Sequence, residues 1–277
     1  MIKESSFKTL GPQAAKLVTT LYERGRCFFR LEDVRKIAEL PPVSARSFAR
    51  KLVDRGVATR LKAGLFVLVP YELGKEREYL GNPFLVAREI LHGRGEYYLS
   101  HGTAMEIHGM LIQPQLVVTT STPLVQRPVT ALGVQFRFVR CQRQHLFGLT
   151  HHWVTKQEKV CVSDLERTIL DGLKVPRLCG GVTEVARGLW MRRDDVQADR
   201  LVEYAKRLGV GAVAQRLGFL LETYQLGTPR HQESLLRMVR KAYIRLDPVL
   251  APTGKFLRRW RLQLNIPLEE LHAAVQT

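Results

Sequence analysis

No stretch of about 18 consecutive apolar residues occurs in this chain, so nothing in it reads as a bilayer-spanning helix. Residues 1–25 also lack the apolar centre of a secretory signal peptide. Cysteine is scarce. Cys27, Cys141, Cys161 and Cys179 lie far apart, with no CxxC pair and no neighbouring ligand cluster, which argues against a zinc knuckle and against a disulfide scaffold. There is no internal repeat, no low-complexity tract, and no P-loop, HExxH or GxSxG. Acidic side chains are few as well: 26, against 43 lysines and arginines, for a formal charge of +17. These absences favour a soluble, cytoplasmic protein with reduced thiols and no membrane partner.

What is there can build a core. The 277 residues are 45% apolar and 25% charged, which suits two ordinary domains and excludes a disordered tail. A pI near 10.1 favours polyanionic partners, nucleic acid foremost. The basic surplus is densest early. Residues 1–77 carry 16 basic and 8 acidic side chains, and the other 200 carry 27 and 18.

The first seventy residues have a legible order. Gly11-Pro12 opens an amphipathic stretch with Ala14, Ala15, Leu17, Val18, Leu21 and Tyr22 at helical spacing. Gly25 ends it, and Cys27-Phe28-Phe29 is long enough only for a small strand. Leu31, Val34, Ile37 and Ala38 mark a second helix, stopped by Pro41-Pro42. Ser44 is the expected N-cap of a third helix that turns Phe48, Leu52 and Val53 inward, with Gly56 at its C-terminal end. Two apolar runs, 57–61 and 65–69, joined by Lys62-Ala63-Gly64, read as a hairpin. Helix, strand, helix, turn, helix, hairpin is the order of a winged helix-turn-helix.

In that arrangement the third helix enters the major groove of double-stranded DNA and the basic hairpin lies along the phosphates. Arg46, Ser47, Arg50 and Lys51 are the helix residues not needed for packing, and Arg60 and Lys62 are the hairpin cations. Guanidinium can bind guanine O6 and N7 bidentately, and either cation type can neutralise phosphate.

A polar stretch, 71–80, followed by Gly81-Asn82-Pro83 marks a linker. The expected domains are a winged helix-turn-helix at 1–77 and a larger mixed α+β domain at 83–277. In the latter, 83–92 and 100–108 read as helices and 116–120 and 134–139 as strands, the second with Val134, Phe136 and Phe138 on one face and Gln135 and Arg137 on the other. Segments 152–155 and 159–162 read as a strand pair. Ser163-Asp164-Leu165-Glu166 has capping-box spacing, for a helix ending near Gly172. Three more helices are expected at 183–191, 198–208 and 211–224. Near the end, 259–264 alternates like a strand with a basic face, so Arg137, Arg259 and Arg261 are candidate secondary phosphate contacts.

Enzyme signatures are weak. Gly209-Val210-Gly211-Ala212-Val213-Ala214 fits a relaxed dinucleotide fingerprint, but a helix rather than a strand precedes it, so the glycines turn one helix into the next. Glu106 shares a helix face with neither His101 nor His108, which disfavours a metal. Asp164, Glu166 and Asp171 are the best magnesium candidates, yet Glu166 fits capping and Asp171 is expected beyond the helix's far end. His151-His152-Trp153 reads more readily as a strand end than as a stacking platform. No catalytic residue, metal or cofactor is expected.

Tyr98-Leu99-Ser100-His101-Gly102-Thr103-Ala104 and Val162-Ser163-Asp164-Leu165-Glu166-Arg167-Thr168-Ile169-Leu170-Asp171 follow the winged-helix pattern. With Pro176, Gly180-Gly181, the run Arg216-Leu217-Gly218-Phe219-Leu220-Leu221-Glu222, Leu246-Asp247-Pro248 and Trp260-Arg261-Leu262, they resemble the AbiEi antitoxins of type IV toxin–antitoxin systems over nearly the whole chain. The resemblance implies a bacterial repressor whose winged helix binds inverted repeats in its own promoter. It further implies a C-terminal domain that counters a nucleotidyltransferase-like toxin without a stable complex. The family supplies no catalytic residues to carry over. A plain transcription factor with a ligand-sensing or protein-binding second domain is the alternative, and a magnesium-dependent nucleic-acid-processing enzyme the more distant one.

Overall fold

A computed structural model describes residues 10–74, 76–91, 95–113 and 116–273. The fold is mixed α+β. It divides into two compact units, Met1–Arg94 with Arg127–Phe136 and Trp153–Lys159, and Gly95–Gln126 with Arg137–His152 and Val160–Thr277. Among the described residues no helix is long and apolar enough to cross a membrane.

The first unit opens with α1 (Pro12–Glu23), β1 (Phe28–Arg30), α2 (Leu31–Ile37), α3 (Pro42–Asp54), β2 (Ala58–Lys62) and β3 (Leu65–Leu68). The strands form a three-stranded sheet in the order β1-β3-β2, both pairings antiparallel. Leu17, Leu21, Phe29, Val34, Ala45, Ala49, Leu52 and Phe66 build its core, and the Phe29 and Phe66 rings stack at 5.3 Å. Gly64 turns the hairpin at φ +76°, a left-handed value that glycine adopts without strain.

The third helix starts earlier than expected. Pro41, not Ser44, is its N-cap, and Pro42 occupies its first turn. The prolines therefore open α3 as well as closing α2, because a first-turn residue has no intrahelical use for the N–H that proline lacks. The turn before them is made by Glu39 at φ +56°, whose carboxylate pairs with Lys16 at 2.7 Å.

The unit also runs past residue 77, where composition placed its boundary. It takes in α4 (Pro83–Leu91). Lys62 donates to the Ile90 carbonyl at 2.9 Å, and Arg30 donates to the Glu89 carbonyl while pairing with its carboxylate at 3.7 Å. Arg88 pairs with Glu89 at 3.0 Å and Glu158 at 2.7 Å. The bonds from Lys62, Arg30 and Glu158 tie α4 to β2, to β1 and to the segment Trp153–Lys159, and sequence composition carries no trace of them.

Next along the chain come β4 (Tyr98–Leu99), α5 (His101–Ile107), β5 (Val117–Thr122), β6 (Val129–Ala131), β7 (Val134–Arg140), β8 (Leu149–Trp153) and β9 (Lys159–Ser163); β6, residues 134–136 of β7, Trp153 and Lys159 fall in the first unit and the rest in the second. The sheet order is β6-β7-β5-β4-β9-β8; β4 runs antiparallel to β5 and parallel to β9. Then come α6 (Leu165–Lys174), α7 (Val182–Met191), α8 (Ala198–Leu208), α9 (Gly211–Thr223) and α10 (Pro229–Leu236), a small sheet of β10 (Ile244–Arg245), β11 (Lys255–Leu257) and β12 (Leu262–Leu264), and α11 (Leu268–Ala273).

Helix α6 lies at the centre, packed against α5, α7, α8 and α9, with every residue from Glu166 to Leu173 buried. Its cap differs from the expected box. Asp164 is the N-cap, accepting from the Arg167 backbone N–H at 2.8 Å. Ser163 instead bonds the Thr168 hydroxyl at 2.7 Å, and Glu166 accepts from the Gln197 N–H at 2.9 Å. The helix also runs to Lys174, so Asp171 lies inside it rather than beyond its end.

Residues 259–264 are not one alternating strand. Only Leu262–Leu264 is extended, because Arg261 turns the chain at φ +51° and Trp260 is fully buried. A Cβ added at Gly218 of α9 would sit 2.1 Å from the Trp260 ring, so the indole rests directly on glycine backbone. The two glycines before α9 behave as expected: Gly209 ends α8 in the left-handed conformation and Gly211 begins α9.

Candidate nucleic-acid interface

Helix α3 buries Ala45, Ala49 and Leu52 and turns the opposite side to solvent. Val43, Arg46, Ser47, Arg50 and Lys51 are all exposed there, at the three- and four-residue spacing of one helical face. On β2, Arg60 is exposed between buried Thr59 and Leu61, as alternation in a half-buried strand requires. Arg46 and Arg50 of α3 and Arg60 of β2 line one groove of about 530 Å3, floored by Leu31, Val53 and Phe66.

Five of the six sequence-selected residues therefore stand exposed on the helix and hairpin, and three of them converge on one groove. Lys62 differs: it is half-buried, and its ammonium is engaged with the Ile90 carbonyl. A hairpin irregularity between Arg60 and Lys62 accompanies their separation. Bulges of this kind re-aim neighbouring side chains.

Four acids of this unit are engaged away from the groove. Asp33 pairs with Arg26, Glu39 with Lys16, and Glu89 and Glu158 with Arg88. Among the described residues no ion pair includes Arg46, Arg50, Lys51 or Arg60. Arg77 donates to the Asp54 carbonyl at the end of α3, where the helix dipole favours a cation.

Sequence reasoning missed Val43, which is 80% exposed at the head of the helix. Its position in the first turn was the available signal, hidden by the later N-cap expected at Ser44. The N-terminal residues of a recognition helix are those that meet base edges.

The secondary phosphate candidates are placed differently. Arg259 pairs with Glu222 at 3.2 Å and donates to Gln232 at 3.0 Å. Arg261 donates to the Tyr243 hydroxyl at 3.3 Å with its guanidinium over that ring. Arg137 is half-buried on β7. The three are not brought together with one another by any of these contacts.

The carboxylates weighed for magnesium are committed to protein partners. Asp171 accepts from Arg167 at 3.1 Å and from the Tyr98 hydroxyl at 3.0 Å, and Arg167 also donates to that hydroxyl at 3.0 Å. Asp164 caps α6 and accepts from Tyr204 at 3.0 Å. No group of three or more potential metal ligands occurs among the described residues. His101 sits beside this triad, fully enclosed at φ +54°, bonded to the Ser100 hydroxyl at 2.9 Å. Burial lowers its pKa to about 4, against the opposing pull of Asp171, so it is neutral at pH 7. His108 bonds the Ser163 carbonyl at 2.6 Å. Trp153 is exposed, with Lys159 over its ring at 5.5 Å.

No family model matches the chain, and no curated protein matches it. Among solved structures, the crystal structure of the RV2827C protein from Mycobacterium tuberculosis has a similar fold, with a TM-score of 0.69 at 16% identity. The alignment covers 99% of this chain and 97% of that one. The likeness is one of fold.

Proposed function

We propose that the chain is a sequence-specific DNA-binding repressor that works in the cytoplasm. In this reading α1 to β3 form a winged helix-turn-helix, with α3 as the recognition helix and the β2–β3 hairpin as the wing. One observation carries it: Arg46, Arg50 and Arg60 line a common groove, exposed and without ion-pair partners among the described residues. Arg46 and Arg50 read base edges, Val43 meets a thymine methyl group, Ser47 and Lys51 flank them, and Arg60 holds phosphate.

With the resemblance to the AbiEi antitoxins, the reading extends to a repressor of its own operon. The second unit then counters a nucleotidyltransferase-like toxin, while the first binds inverted repeats in the promoter. No turnover is required of it.

A fluorescence-anisotropy titration on a duplex from the protein's own promoter tests the first step. Specific binding should exceed binding to a scrambled duplex by about three decades or more, and it should fall steeply with salt. Equal affinity for both duplexes would reject a specific repressor. Co-expression with the toxin encoded beside it tests the second step, and unchanged toxicity would remove the antitoxin role while leaving repression standing.

A further inference from the structure

The second unit holds a cleft that DNA binding by α3 does not use. It measures about 660 Å3, within the range of small-ligand sites. Three separate segments supply its walls: Pro123 after β5, residues 140–145, and Lys174. Arg140 closes β7, Arg143 and His145 lie in the helical turn that follows, and Lys174 ends α6. The backbone of the turn is anchored by the Cys141 N–H, which donates to the Thr122 carbonyl at 3.0 Å.

The cleft is lined by three permanent cations and no carboxylate. Among the described residues no ion pair takes up Arg140, Arg143 or Lys174, whereas Arg167, Arg187, Arg192, Arg200 and Arg259 of the same unit are all paired. His145 adds an enclosed Nδ1 with no hydrogen-bond partner. A buried polar atom left without a partner is costly, and this one lies in a lining with three cations that no ion pair takes up. Burial first, then the positive charges of Lys174 and Arg167, hold the His145 imidazole below its ordinary pKa against the opposing charge of Asp171.

We propose that this cleft binds a compound carrying two or more linked phosphates, such as the tail of a nucleoside triphosphate. Phosphate oxygens suit two guanidinium forks and an ammonium. The volume exceeds what a single phosphate fills. No phenylalanine, tyrosine or tryptophan lines the cleft, so the phosphates supply the larger part of the recognition.

Isothermal titration of the full chain with tripolyphosphate, at about 0.15 M salt to screen loose surface attraction, tests the site. Binding is expected, weakened about tenfold by Arg143→Gln and by Lys174→Gln, and unchanged by Arg237→Gln, an exposed arginine after α10 of the same unit. The His145 ring resonances should shift on addition, while those of His231 stay in place. An equal loss with Arg237→Gln would reduce the effect to general charge attraction and overturn the proposal. So would a stationary His145 resonance, or a single-stranded oligonucleotide that displaces tripolyphosphate at equal phosphate concentration.

Discussion

In the first unit Arg46, Arg50 and Arg60 stand in solvent around a groove with no ion-pair partner among the described residues. In the second, Arg167 and Arg216 are buried and bonded to groups inside the fold. Arg167 holds Asp171 and Tyr98, and Arg216 donates to the carbonyls of Leu173, Leu246 and Arg245 at 2.8, 2.8 and 3.1 Å. Burial draws the Arg216 pKa down to about 10, which still leaves it charged at pH 7. The same residue type is thus an outward contact in one unit and an internal cross-link in the other. Net charge counts both alike, and only the location of the acids and carbonyls separates them.

The sharpest way to break this contrast is to remove an internal partner. Asp171→Ala strands the Arg167 guanidinium in the core, and the unfolding free energy should fall by about 3–5 kcal/mol. Urea denaturation measures it. A loss below about 1 kcal/mol would mean that the buried arginine is not held by this carboxylate.

Acid should find the same region next. Between about pH 6.5 and pH 4 the unfolded chain takes up a proton at His101 that the folded chain refuses. Stability therefore declines as pH falls through that window, by about 3 kcal/mol when complete. His108, also held below its usual pKa by burial, pulls the same way. Unfolding midpoints flat from pH 7 to pH 4.5 would contradict an enclosed neutral imidazole.

On the other side of the comparison, Arg50→Ala should leave the melting temperature within a degree or so, since a surface change of this kind moves stability by about 0.5 kcal/mol or less. It should instead cost about 1–3 kcal/mol in operator binding and relax specificity at one base pair. A variant that melts early yet binds DNA normally would place Arg50 among the internal arginines.

Arg259→Gln is expected to do least. Its guanidinium is engaged by Glu222 and Gln232, so operator affinity should change by less than about 0.5 kcal/mol. A drop as large as that of Arg50→Ala would restore it as a phosphate contact and blur the distinction between the units.

How much of this was legible beforehand follows from the range of each interaction. Amphipathic spacing, the Pro41-Pro42 pair and Lys62-Ala63-Gly64 are local signals, and the helices and hairpin they mark lie within a few residues of their expected places. Helices 183–191, 198–208 and 211–224 were equally plain. The cap of α6 was misassigned by one residue, because Ser163 and Asp164 are both competent caps and the choice depends on Thr168 and Tyr204 arriving nearby. The unit boundary and the engagement of Lys62 depend on carbonyls about 28 residues away, beyond any local pattern. For the candidate interface, helical spacing was enough to select the exposed face of α3. Whether a given arginine has a partner was not legible, because the partner comes from another element.

The contact between Gly218 and Trp260 has a consequence for how this sequence can drift. With the indole 2.1–2.6 Å from where a Cβ would lie, position 218 is closed to every side chain as long as position 260 keeps its tryptophan. Alanine at 218 alone would have to displace a packed ring, at about 1–3 kcal/mol or more; a smaller residue at 260 alone would leave a void. Each substitution is tolerable only in the company of the other. Among descendants of this chain the two positions should therefore change together, forty-two residues apart in sequence and recording one shared contact.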